Sequence, residues 1–223
     1  MMVERETVTR APLRAPRAGG IAGIAFSILL ATSLVLIRTA VPADPSAGAV
    51  WLQHGARTFE LALNLLPFAG LAFLWFVGVI RDRLGEYEDR FFATVFFGSG
   101  LLFVATLFCA AAISGGMLMV YASGTGKLVE SGTYAFGRSV TYLMLNVYAM
   151  KMAGAFMIST ATIAMKTAIF PRWMALLGYA LAIVVLLSSA KLYWAPLAFP
   201  LWVLLVSSYI LLANFRTVTT PER

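Results

Sequence analysis

Charge is what this chain has least of. Asp, Glu, Lys and Arg make up 12% of its 223 residues and hydrophobic side chains 61%, where an average soluble domain carries about 25% charged residues. The few charges cluster between long apolar runs, most of them apolar on every side. A helix on the surface of a soluble protein needs a polar face, and these have none. The sequence predicts an all-α polytopic membrane protein.

Other shortages narrow the chemistry. The single cysteine, Cys109, lies inside an apolar run, so no intramolecular disulfide can form. The single histidine, His54, cannot alone build a two-histidine haem site or a histidine-cluster metal site. No Asp or Glu falls within an apolar run, Glu60 at the end of one being the nearest. Acid–base catalysis by buried carboxylates therefore has no material, and no cofactor is expected. Basic residues are the exception to the scarcity: the net charge is +7 and the pI near 9.9. In a soluble protein that excess would suggest nucleic acid; beside membrane spans it reads as a topology signal, and no nucleic-acid partner is expected. The expected partners are the lipid bilayer and, as a candidate, another membrane protein.

Taken in order, residues 1–19 read as a disordered basic tail with four arginines and two prolines, and residues 20–215 as one transmembrane domain. Gly20 to Val41 is too long for the apolar core of a signal peptide and reads as the first helix. Gly19 and Gly23 offer a small-xxx-small contact at its start. After an outer loop over 42–58, the second helix spans Phe59 to Ile80 and contains Pro67, which frees the carbonyl of Leu63. That turn should face protein. The charged stretch Arg81–Arg90 is an inner loop. The third run, Phe91 to Tyr121, exceeds one perpendicular span; it reads as a helix over Phe92–Ile113 with a bend at Gly115-Gly116, or as one tilted helix. The outer loop Ala122–Arg138 precedes a fourth helix from Ser139 to Lys166. The fifth runs from Trp173 to Ala190, the sixth from Pro196 to near Asn214, and residues 216–223 form a polar tail.

Orientation follows from the cations. With both termini inside, eleven Lys and Arg residues fall on cytoplasmic segments, and five fall outside: Arg38, Arg57, Lys127, Arg138 and Lys191. That asymmetry favours cytoplasmic termini. Trp75 and Trp173 then mark the inner interface, and Trp51, Tyr121 and Trp194 the outer.

Lys151 stands apart from this tally. At ~1.5 Å per residue it lies ~18 Å from Ser139 and ~22 Å from Lys166, near the middle of a ~30 Å hydrocarbon core. A central lysine disfavours insertion by roughly 2.5–3.5 kcal/mol, so it should face other helices or a wet cavity. Tyr148, Ser159 and Thr162 share its face by three- and four-residue spacing, whereas Asn146 points elsewhere. Asn64 and the Leu63 carbonyl on the second helix are expected partners for the ammonium. Three roles remain open: a structural residue bonded to carbonyls or reaching the headgroups, the lining of an anion or polar-solute path, and a proton carrier.

Two motif-like stretches dissolve on inspection. Ser123-Gly124-Thr125-Gly126-Lys127 resembles the end of a phosphate loop, but Tyr121 stands where the first glycine is needed and Leu128 where Ser or Thr is needed. Ser99 between two glycines lacks a base, because His54 lies at the other side of the membrane.

The stretches Gly20–Phe26, Phe73–Asp82 and Phe170–Gly178 together resemble the uncharacterised six-helix integral membrane proteins of GC-rich Gram-positive bacteria. The resemblance implies a bacterial inner-membrane location and carries over no catalytic residue. The expectation is a six-helix bundle with both termini cytoplasmic, acting as a non-enzymatic membrane component or partner subunit. A small transporter or channel along the Lys151 face is the alternative, and an intramembrane enzyme ranks last.

Overall fold

A computed structural model of the protein describes residues 15–44, 48–84, 90–124, 132–167, 170–187 and 194–218. Among the described residues the chain forms six long helices and no strand. They are α1 (Ala15–Ala40), α2 (Leu52–Leu84), α3 (Arg90–Ala122), α4 (Thr133–Thr167), α5 (Arg172–Leu187) and α6 (Ala198–Val218). Single 3₁₀ turns, Ala49–Trp51 and Ala195–Leu197, lead into α2 and α6. Five of the helices are long and apolar enough to cross a membrane, and α5, with 16 residues, is a shorter apolar one.

Each helix packs against its neighbours in sequence, and α6 returns to α1, so the bundle closes into a ring. Contacts at the two ends fix the alternation. At one end the start of α1 meets the end of α2 through Gly19 and Val79, and the end of α6 through Gly20 and Leu211. At that same end Arg81 lies over the Phe97 ring and Lys166 over the Phe92 ring, each 4.7 Å from the centroid. The end of α1, the start of α2, the end of α3 and the start of α4 meet at the opposite end.

Phenylalanine fills the centre. Phe73 of α2 has ring neighbours at 4.5 Å (Phe26, α1), 5.4 Å (Phe103, α3), 5.0 Å (Phe156, α4) and 5.7 Å (Phe199, α6). All five rings are fully buried. Five helices thus each place one aromatic ring at a single level, in the tilted and edge-on arrangements that ring quadrupoles favour. The exterior is apolar as well: Phe68, Leu71, Leu102, Leu176 and Ile183 are all exposed, on a scale that lipid rather than water would cover.

Several boundaries differ from the sequence reading. α1 begins at Ala15, inside the stretch read as tail, because a proline at position 16 is tolerated in a first helical turn; residues 1–14 lie outside the described residues. α6 likewise runs to Val218, past the boundary drawn at 215. α2 starts at Leu52 rather than Phe59, since polar side chains at a helix end do not break it. α3 is one continuous helix through Gly115 and Gly116, rather than a helix over Phe92–Ile113 that breaks at the glycine pair. Glycine lowers helix propensity without forcing a break. Residues 188–190, 191–193 and 125–131, read as parts of the fifth helix and two outer loops, lie outside the described residues.

The Gly19/Gly23 spacing does serve close approach. A Cβ on Gly23 would lie 2.0 Å from the Ser207 Oγ and 2.6 Å from the Phe76 ring, and one on Gly19 2.5 Å from Val79. α1 can therefore seat on α2 and α6 only with its backbone bare at these points. Phe73→Ala should lower unfolding stability by about 3 kcal/mol, because the cavity it leaves is walled by four other rings. Phe68→Ala on the exposed side of the same helix should change it by less than about 0.5 kcal/mol. Thermal unfolding in a mild detergent compares the two.

Candidate functional site

The Lys151 Nζ donates a hydrogen bond to the backbone carbonyl of Leu186, in the last turn of α5. Helix geometry accounts for the meeting. At ~1.5 Å per residue, Lys151 lies ~24 Å before the end of α4 and Leu186 ~21 Å after the start of α5, so an antiparallel pair brings them level. Gly154, one turn beyond Lys151, makes room: a Cβ there would lie 2.6 Å from Leu186 Cγ. A backbone carbonyl has two lone pairs, so it can accept a donor from a neighbouring helix whether or not an intrahelical N–H occupies the other.

The other residues assigned to that face separate. Thr162 does turn toward α5, its hydroxyl 2.7 Å from the Tyr179 hydroxyl, while also bonding the Ile158 carbonyl. Ser159 is buried and donates to Ala155 one turn back. Tyr148 is 60% exposed on the bundle's exterior. Asn64 is exposed in a groove between α2 and the end of α3, with Glu60, Gly115 and Tyr121, and does not meet Lys151. The proline turn faces outward in part: Pro67 is exposed and Leu63 is buried. The carbonyl of Ala62, adjacent to the expected one, accepts a hydrogen bond from Ser33 of α1 at 2.8 Å. Ser99 bonds carbonyls of its own helix, Val95 at 2.6 Å and Phe96 at 3.1 Å, as a packing residue does.

A second polar constellation lies at the Arg38 end of the bundle, around a cavity of about 80 Å³. Arg138, counted above as a loop cation, sits inside α4 and is only 6% exposed. Its Nη1 donates to the Tyr134 hydroxyl at 2.9 Å, and its Nη2 to the carbonyls of Pro42 at 2.9 Å and Asp44 at 2.6 Å. Trp51 Nε1 donates to the same Tyr134 hydroxyl at 2.6 Å. One guanidinium thereby ties the chain after α1 to the start of α4, and Tyr134 ties in the turn before α2.

Across the cavity Arg38 Nη2 donates to Asn146 Oδ1 at 2.6 Å, and Asn146 Nδ2 donates to the Tyr142 carbonyl at 2.9 Å. Asn146 lies in a π-helical turn, Met144–Tyr148, within α4. Such a turn shifts the backbone bonds by one residue and offsets the faces on either side, and it recurs at functional sites. Ser114 of α3 and Thr141 of α4 close the floor with hydroxyls 3.1 Å apart.

Sequence reasoning passed over this cluster. One signal was available: Tyr134, Arg138, Thr141 and Leu145 recur at helical spacing, so a helix starting well before Ser139 would have put Arg138 on an inward face. Nothing in the sequence pairs Arg38 with Asn146, which lie 108 positions apart.

Among the described residues no group of three or more His, Cys, Asp or Glu side chains could hold a metal ion. Five long apolar helices and many exposed large apolar side chains point to a membrane-embedded helical bundle. No protein-family model, curated protein or solved structure matches the chain.

Lys151→Met should destabilise the bundle by about 1–3 kcal/mol, the scale of a buried carbonyl left without its donor. Thermal unfolding of the purified variant in detergent gives the size of the loss. An unchanged stability would remove Lys151 from the α4–α5 contact.

Proposed function

We propose that the protein is a non-enzymatic component of a bacterial cell membrane, spanning the bilayer six times with both termini in the cytoplasm, and that it serves as a partner subunit for another membrane protein. The observation that carries the reading is the contact between Lys151 and the Leu186 carbonyl. The one intramembrane cation expected from the sequence has a backbone partner, which supports a structural role over a polar path.

The six-span count rests on α5 crossing with the others: its 16 described residues make ~24 Å of helix, and Lys151 of α4 reaches its backbone. The cytoplasmic assignment of the termini rests on the distribution of basic residues: Arg81, Lys166 and Arg172 gather at the end where α1 starts and α6 stops. The layout of the chain also fits the Gram-positive membrane proteins that it resembles.

Single cysteines introduced near each terminus of a Cys109→Ser background should react with an impermeant maleimide only after the cells are opened. Labelling of one terminus in intact cells would overturn the topology. Purification in a mild detergent should recover a second membrane protein in fixed stoichiometry. A lone monomer that moves solute across reconstituted vesicles would replace the subunit reading with the transporter one.

A further inference from the structure

We infer that the outward face of α2 docks a second copy of this chain, the two copies joined across a two-fold axis by their Asn64 amides. The inference rests on the membrane reading above. Leu61, Asn64, Phe68, Leu71, Trp75 and Gly78 follow one another at alternating steps of three and four residues, and all are exposed. Such spacing, about 3.5 residues per turn, is the seam along which two helices wind around each other. Lipid would cover the apolar members of that seam, and by themselves they require no protein partner. Asn64 does. It lies ~25 Å along the helix from Arg81, so a ~30 Å hydrocarbon core bounded near Arg81 contains it. Its amide makes no hydrogen bond to any described residue, and lipid tails offer it none.

The chemistry of the amide selects the occupant. An asparagine carries two N–H donors and a carbonyl acceptor, so two of them face to face can each donate and accept. A two-fold axis brings the same residue from both sides, which is the arrangement a self-complementary group fits. One asparagine in an otherwise apolar seam also fixes the register, because a slip would set each amide against a hydrocarbon side chain. The relief of the face fits a helix laid across it. At the outer end a groove of about 430 Å³ lies on the α3 side of α2, between Leu63 and Asn64 and the facing Gly115 and Met119. At the inner end a groove of about 520 Å³ lies on the α1 side, between Leu71 and Trp75 and the facing Ala18 and Ile21. A helix seated in both grooves crosses α2 near Phe68, one turn from Asn64. The two-fold then seats α2 of the first copy in the same two grooves of the second.

Full-length protein carrying Cys109→Ser and one new cysteine, oxidised with copper phenanthroline in native membranes, tests the interface. Phe68→Cys should yield a covalent dimer of this chain, and Ile183→Cys, on the exposed side of α5, should not. In liposomes, energy transfer between donor-labelled and acceptor-labelled copies gives the dissociation constant. Asn64→Leu should raise it about tenfold, the scale of hydrogen bonds between membrane helices. Asn64→Gln keeps an amide on the seam and should stay close to the parent. Equal cross-linking at positions 68 and 183, or a Phe68→Cys adduct with a different protein in place of the dimer, would overturn the inference. So would a chain that stays monomeric in liposomes, or a dissociation constant that Asn64→Leu leaves unchanged. Extraction with alkaline carbonate separates this failure from that of the membrane reading: a monomer that carbonate cannot strip from the membrane loses only the dimer.

Discussion

Phe73 is the point on which the bundle closes. Helices in a bilayer gain little by hiding apolar surface from one another, because lipid tails are as apolar as their side chains. Shape must then choose the partners. One ring on α2, touched by a ring from each of α1, α3, α4 and α6, gives five helices a common level and a common axis. Dispersion between closely fitted atoms is small per pair and large in sum, and it fails quickly when a gap opens. The glycines at the start of α1 do the complementary work of letting backbones approach.

α5 stands outside that hub and is attached by other means. Its inner face meets α4 through the Lys151–Leu186 bond, the bare backbone of Gly154 and the Thr162–Tyr179 hydroxyl pair. A charge that would be costly in lipid is thereby given a backbone acceptor. The polar chemistry at the Arg38 end follows the same rule with different parts. Arg138 can be buried because oxygen acceptors meet its guanidinium, among them the Tyr134 hydroxyl and the carbonyls of Pro42 and Asp44.

The helices were legible in the sequence because hydropathy acts over whole turns and does not need tertiary information. Lys151 was legible for the same reason: one charge in a long apolar run must have a partner. Which partner was not legible. Asn64 and Leu63 were sought because they were polar or freed within the chain, whereas the actual acceptor, the carbonyl of Leu186, is an ordinary backbone group that only the packing of α5 on α4 brings within reach. Arg138 was misread as a loop cation because the start of α4 is polar and looks like a loop until its spacing is followed. The π turn added a further barrier. An extra residue per turn rotates the downstream face by roughly 100°, so face assignments made with regular spacing cannot be carried from Arg138 to Lys151.

That pairing of α4 and α5 has a consequence for biogenesis. α4 is the least hydrophobic of the five long helices and carries Lys151, so it is poorly suited to partition into lipid by itself as it leaves the ribosome. On the membrane reading α4 and α5 would enter as a hairpin, with the lysine finding its acceptor during insertion rather than after the bundle has assembled.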